Sequence, residues 1–297
     1  MSIFADIRTA FSRRDNMLMQ LLLLNALVFV ALILVGAVLF LSTGALNQYD
    51  PMLNWLAVPS EPARLLTRPW TLLTYSFTHV GFFHILFNLL NLYWFGSLVR
   101  EYLGDRKLVS LYVLGALAGA ALYLLAFNLL PVFQGRLAML YGASASVTAI
   151  IVGAATLLPD YTFNLILLGP VRIKYIAAVV VLVSLAGLNG GNAGGEIAHL
   201  GGALIGFLFI KQLQRGRDLG RPVLAVGDWV GALLSGRPRL RVSHRGGAAP
   251  GPTAAKKSRL PQPEQDDIDA ILDKISRSGY ESLSKEEKQR LFKASQK

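Results

Sequence analysis

The chain has 297 residues, of which 53% are hydrophobic and only 16% charged. A water-soluble domain carries nearer a quarter charged residues, so this composition excludes an ordinary soluble fold and places the chain in the membrane class. The net charge of +11 is uneven: residues 1–210 hold 11 Lys/Arg against 8 Asp/Glu, residues 211–297 hold 18 against 10, and there is no cysteine. A basic excess in the tail suits a face near anionic lipid rather than a nucleic-acid site. The missing cysteine excludes disulfides and a thiol nucleophile.

Arg8, Arg13 and Arg14 precede the first apolar run, which is too long for a signal-peptide core and reads as a retained span. Six apolar segments follow one another, at 17–43, 82–99, 107–130, 144–158, 172–188 and 197–212. A helix needs about 20 residues to cross the hydrocarbon. The first and third segments meet that length. The fourth to sixth are marginal and belong inside a bundle. The basic groups Arg100, Arg106 and Lys107, then Arg172 and Lys174, then Lys211, Arg215 and Arg217 fall on one side if both termini are cytoplasmic. The loop from Gly44 to Pro69 is then external. With Tyr49, Trp55 and Trp70 it is expected to lie partly in the interface.

The tail changes character near Gln212. Residues 213–262 read as a basic flexible linker, with a short interfacial helix at "VGDWVGALL". Ile268, Ile271, Leu272 and Ile275 recur at helical spacing, "SGY" interrupts, and Ser284 with Glu287 forms a capping-box start. Residues 263–297 are therefore expected to form a small helical hairpin. The expected organisation is a cytoplasmic N-terminus at 1–16, a helical membrane domain at 17–212, the linker, and the hairpin.

Polar groups at membrane depth are costly and mark function. His84 and Asn88, four residues apart, share one face of the second segment; Asn91 is assigned to a different face. The bland alternative is an interhelical hydrogen bond that holds the bundle together. His199 opens the sixth segment, and Gly202 and Gly206 follow at small-xxx-small spacing. In the fourth, Gly142, Ala143, Ser144, Ala145, Ser146, Ala149 and Gly153 give a slim profile. Two slim helices bring backbones close, so that a serine hydroxyl can reach the histidine it needs as a base. Asp160 and Glu196 are the nearby acids. Both are assigned to loops, which favours a Ser–His dyad over a triad. Ser144 stands where the first helical turn leaves amides unpaired, so its own N–H, His84 and Asn88 could serve an oxyanion. Ser146 lies about 200° further round and faces elsewhere. The fourth segment is only about 22 Å long against roughly 30 Å of hydrocarbon, so its start is expected to be sunk below the surface.

The motifs HxxxN at His84 and Asn88, GxS from Gly142 to Ser144, and AHxGGxxxG from Ala198 to Gly206 together resemble the rhomboid family of intramembrane serine proteases over about residues 15–212. The resemblance implies an all-α membrane protein with a six-transmembrane-helix rhomboid fold. It implies Ser144 as nucleophile, His199 as base, and His84, Asn88 and the Ser144 amide as oxyanion hole. His79 is given a structural role in holding the first loop, and Gly142, Gly202 and Gly206 support the packing. No metal or other cofactor is implied. The expected partners are transmembrane protein substrates and the bilayer, with no nucleic acid. The expected place is an inner or plasma membrane, with the site opening to the extracytoplasmic side. The stretch "FQGRLAMLYGA" is expected to wall the water cavity, and the fifth segment, beside the second, to act as a lateral gate. Two positions depart from the family pattern: Ala145 follows the nucleophile in place of Gly, and Thr148 stands where a Tyr commonly stacks on the histidine. The tail resembles those of rhomboids from Bacteroidetes-type bacteria. Two other readings are an inactive rhomboid-like protein that binds transmembrane helices, and a transporter or channel. The latter would bring more midplane charge or an internal repeat than the sequence has.

Overall fold

The computed structural model describes residues 16–44, 47, 49–165, 169–235 and 263–295. Arg8, Arg13 and Arg14, and the linker from 236 to 262 with His244, lie outside the described residues. The chain divides into two units, Met1–Arg239 and Leu240–Lys297.

The first unit begins with α1 (Met17–Thr43). A loop follows that carries α2 (Asp50–Leu56), β1 (Val58–Pro59), α3 (Pro62–Thr67) and the single turn α4 (Thr71–Thr74). Then come α5 (Phe82–Leu103), α6 (Asp105–Leu129), β2 (Met139–Leu140), α7 (Ser144–Leu157), the hairpin β3 (Thr162–Leu165) and β4 (Gly169–Arg172), α8 (Ile173–Ala186), α9 (Ala193–Gln214) and α10 (Arg221–Ser235). All six apolar segments are helical. Helices α1, α5, α6 and α9 are long and apolar enough to cross a membrane, whereas α7 and α8 are shorter apolar helices.

Helix α7 is short because protein surrounds it. Ten of its fourteen residues are buried, and α5, α6, α8 and α9 all pack on it. A helix enclosed in this way need not reach either lipid surface. Helix α1 is the opposite case. It buries a stripe of Leu18, Leu21, Asn25, Leu32 and Gly36 against the bundle and leaves most of the rest half-buried or exposed. Its one buried amide is satisfied: Asn25 donates to Tyr112 at 3.1 Å, and the Tyr112 hydroxyl donates to the Ser76 carbonyl at 2.7 Å.

Helices α6, α7 and α9 meet along a seam of small residues. A methyl group at Gly202 would run into the Ala145 carbonyl, and one at Gly206 into the Ala149 carbonyl. On α6, a methyl at Gly115 would lie 2.7 Å from the Ala149 Cβ. At Gly202 and Gly206 the atoms in the way are α7 backbone, which cannot rotate aside. Gly202→Val is therefore expected to cost about 1–3 kcal/mol or more of stability. Thermal unfolding in detergent measures this, and an unchanged midpoint would show that the seam can open.

The loop before α5 is built rather than slack. β1 pairs antiparallel with β2, with Val58 opposite Leu140 and Pro59 opposite Met139. Trp55 and Trp70 stack 5.9 Å apart, and the Arg68 guanidinium sits 4.8 Å over the Trp55 ring. At the other end of α6, Lys107 pairs with Asp218 and Arg106 with Asp228 at 2.9 Å, which ties α10 down. Lys107, together with the Gly220 amide, outweighs partial burial and holds the Asp218 carboxyl below its usual range. α10 lies where the sequence suggests an interfacial helix and exposes Val226, Trp229, Val230 and Leu233 along one face.

The second unit contains α11 (Pro263–Ser278) and α12 (Lys285–Ser295), joined through Gly279, whose φ of 77° lies in the region that glycine occupies freely. The capping box is reciprocal. The Glu287 amide donates to Ser284 Oγ at 3.2 Å, and the Ser284 amide donates to the Glu287 carboxylate at 2.7 Å. That amide, with Lys274, holds the Glu287 carboxyl below its usual range.

Candidate functional site

Ser144 is the first residue of α7. The turn before it is pinned by groups that would otherwise be orphan donors. The Gly142 amide donates to the Tyr75 carbonyl at 2.9 Å, and the Ala143 amide to His79 Nε2 at 3.1 Å. His79 is buried, and its other ring nitrogen meets the Phe77 carbonyl at 3.3 Å. Its hydrogen bonds thus join the segment ahead of α5, where the sequence assigns it a structural role in the first loop, to the turn ahead of Ser144. The φ of Gly142 is 113°, which side chains with a Cβ rarely adopt. A methyl there would also come within 2.6 Å of His84 Nε2. Glycine is therefore required twice: for the turn, and to let the His84 ring lie against the backbone. As the first residue of the helix, Ser144 has an N–H without an intrahelical acceptor.

A cavity of about 480 Å³ opens in front of this turn. His84, Asn88, Ser144, Thr148 and His199 line it, so the structure brings together four of the residues singled out from sequence and the Thr that stands in the Tyr position. Phe83 and Phe87 of α5 and Val179 and Val183 of α8 supply apolar wall. Asn88 spends one donor on the His84 carbonyl at 2.8 Å, and a carboxamide keeps a second N–H. Asn91 also lines the cavity. This corrects the face given to it from sequence, since seven residues after His84 is almost two full turns. The stretch 133–143 contributes no lining residue. Met139 and Leu140 of it form β2 against β1, and Phe133 and Leu140 are buried in the bundle while Leu137 is exposed.

The acid was misplaced from sequence. α9 begins at Ala193 rather than at 197, so Glu196 lies in its first turn, not in a loop. One turn separates it from His199, and Glu196 Oε2 stands 3.1 Å from His199 Nδ1. Ser184 of α8, not identified from sequence, places its Oγ 3.0 Å from the same nitrogen. Each had a signal. Ser184 is the one hydroxyl in the run "IAAVVVLVSLA", and Glu196 is three residues before His199. Thr148 does not stack on the histidine; its Oγ1 donates to the Ser144 carbonyl at 2.8 Å.

Ser146 is fully buried between α7 and α6. Its hydroxyl has no hydrogen-bond partner among the described residues. Ser146→Ala is expected to leave the site intact and to raise stability by up to about 1 kcal/mol, because it removes an unsatisfied buried group. A lowered unfolding midpoint would contradict this.

Residues 66–215 match the family model described as the Rhomboid domain, and residues 262–297 match a family of unknown function (DUF6576). Among curated proteins, the chain is 28% identical over 201 residues to the RHOMBOID-like protein 12, mitochondrial, of Arabidopsis thaliana, covering 64% of this chain and 59% of that one. It is 30% identical over 154 residues to the Presenilin-associated rhomboid-like protein A, mitochondrial, of Danio rerio, covering 51% and 39%. It is 34% identical over 87 residues to the Rhomboid protease GlpG of Klebsiella pneumoniae, covering 29% and 31%. The chain thus spans less than two thirds of the length of each. With its apolar helices, these matches make it a multi-pass membrane protein.

Proposed function

Because the chain belongs to the rhomboid family, we propose that it is an intramembrane serine endopeptidase, with Ser144 as nucleophile and His199 as general base. The observation that carries this reading is that the first residue of α7 and a histidine of α9 line one cavity, on two helices held together by a glycine seam. In the reaction, Ser144 Oγ attacks the scissile carbonyl while His199 Nε2 takes its proton. The oxygen that becomes negative is met by the Ser144 N–H and by side-chain donors of His84 and Asn88. His199 then protonates the leaving amine, and water hydrolyses the acyl-enzyme by the same route.

The substrate of this reading is a membrane-anchored protein cut within or beside its spanning helix. Such a helix hides its carbonyls in hydrogen bonds, so segments with glycine or other helix-weakening residues unwind into the site most readily. A small residue before the cut is what the resemblance to the rhomboid family implies. Entry is lateral, between α5 and α8, whose Phe83, Phe87, Val179 and Val183 border the cavity. All six helices of the bundle count as spans in this reading, with both termini cytoplasmic. Residues 17–212 form the protease domain, α10 (Arg221–Ser235) follows it tied to α6 rather than belonging to a flexible linker from 213, 236–262 are the linker, and 263–297 a cytoplasmic appendage. The site opens to the extracytoplasmic side of an inner or plasma membrane, in line with the distribution of Lys and Arg.

The test is covalent capture. The purified chain in proteoliposomes is treated with a fluorophosphonate probe and offered a single-span substrate. Labelling at Ser144, located by peptide mass spectrometry, together with substrate cleavage supports the reading. Absence of both, with the substrate still bound, would support a helix-binding protein without hydrolytic activity.

A further inference from the structure

We infer that Glu196 is the positioning residue of His199, so that the site works through three residues, Ser144, His199 and Glu196, rather than through an unaided pair. The inference rests on the proposed function and concerns how its base is made competent.

A neutral imidazole has one N–H and one lone pair. Glu196 Oε2 is 3.1 Å from His199 Nδ1, and an ionised carboxylate can only accept. The proton therefore belongs on Nδ1, and the lone pair is left on Nε2, where a base for Ser144 needs it. Ser184 Oγ, 3.0 Å from Nδ1, is a second acceptor for the same proton. When His199 takes the Ser144 proton it becomes a cation, and the carboxylate one helical turn away stabilises it. The carboxylate is itself held in place. It lies against Gly187, where a methyl would come within 2.9 Å of Glu196 Cγ and 3.0 Å of Cδ, and its side chain is only 17% exposed.

The need for such a residue arises from α7. Thr148 turns its hydroxyl back to the Ser144 carbonyl and offers no ring for the histidine to rest on. The histidine is steadied instead by Ser184 of α8 and Glu196 of its own helix. Among the residues lining the cavity, the other titratable group is His84 on α5, and neither α7 nor α8 contributes a carboxylate. Glu196 is thus the lining residue able to set both the tautomer and the charge of the base.

The experiment uses the full chain in proteoliposomes, with wild type, Glu196→Gln and Glu196→Asp. The acidic limb of kcat/KM against pH reports the base in the free enzyme. Glutamine keeps an acceptor oxygen but not the charge. It is expected to lower kcat by about 10- to 10²-fold with little change in KM, and to move the acidic limb down by roughly one pH unit, since a lost opposite charge makes the imidazolium easier to deprotonate. Aspartate is expected to keep the limb near its wild-type position. Nitrogen-15 NMR of labelled histidine reads the tautomer and titration midpoint of His199 without any turnover. If the wild-type midpoint matches that of Glu196→Gln, or if neutral wild-type His199 does not carry its proton on Nδ1, the inference fails even where the enzyme is active. If they differ as expected but no variant or wild type cleaves substrate, it is the protease reading that fails. A Glu196→Gln limb at the wild-type pH, with kcat within about twofold, would reduce Glu196 to packing.

Discussion

Ser144→Ala and His199→Ala are each expected to lower cleavage of a reconstituted single-span substrate by about 10³-fold or more. Serine hydroxyl is a weak nucleophile at neutral pH, and its activation needs a partner that removes the proton as the bond forms. Removing either member therefore removes the same step. The double variant is expected to be hardly slower than either single one, because residues that act as a unit are grossly non-additive. What remains comes from binding and from the oxyanion donors. Both residues border a cavity, so truncation to alanine should leave the fold standing. Unfolding midpoints within a few degrees of wild type would confirm that lost rate is lost chemistry. Cleavage at the wild-type rate by either variant would remove the assignment of nucleophile and base.

Asn88→Ala is expected to lower kcat by about 10²- to 10³-fold, or about 2.7–4 kcal/mol of transition-state stabilisation, with KM little affected. In the proposed mechanism the side chain binds the oxygen only once it carries charge, so its loss should appear in turnover and not in substrate affinity. Asn88 is the cleaner of the two side-chain donors to test. Its amide is anchored on the His84 carbonyl at 2.8 Å and keeps a free N–H. The His84 ring rests on Gly142 as well, so His84→Ala would also loosen the turn that presents Ser144. A fall in affinity with kcat unchanged would place Asn88 in substrate binding instead.

Much of the architecture was legible as hydropathy, because a helix that meets lipid must satisfy its backbone internally and wear an apolar surface. Segments 17–43 and 107–130 were therefore read to within a residue or two at most ends, becoming Met17–Thr43 and Asp105–Leu129. The start of α9 was not. "NGGNAGGE" reads as a loop, since glycine disfavours helix by about 1 kcal/mol per residue. Yet Gly194 is in α9, where a methyl would come within 2.9 Å of the Tyr123 ring, and Gly195 lies against the Asn192 side chain. Contacts from α6 outweigh local propensity there, and the error in the boundary carried Glu196 out of the helix with it. Asn91 was missed for a different reason. Three residues after Asn88 and seven after His84 are both close to whole turns, so helical phase itself keeps Asn91 near their face.

By itself, the sequence determined that the chain is a membrane protein, where its long apolar helices run, and which residue types stand at the three motif positions. Those follow from composition, periodicity and spacing, which are properties of the chain alone. The tertiary structure decided which polar groups share a cavity, that α7 can be short because four helices enclose it, and that His199 has a carboxylate and a hydroxyl on its Nδ1. Those depend on how closely backbones approach. That approach is set where Gly202 and Gly206 meet the α7 carbonyls, a contact between residues more than fifty positions apart that no local pattern can report.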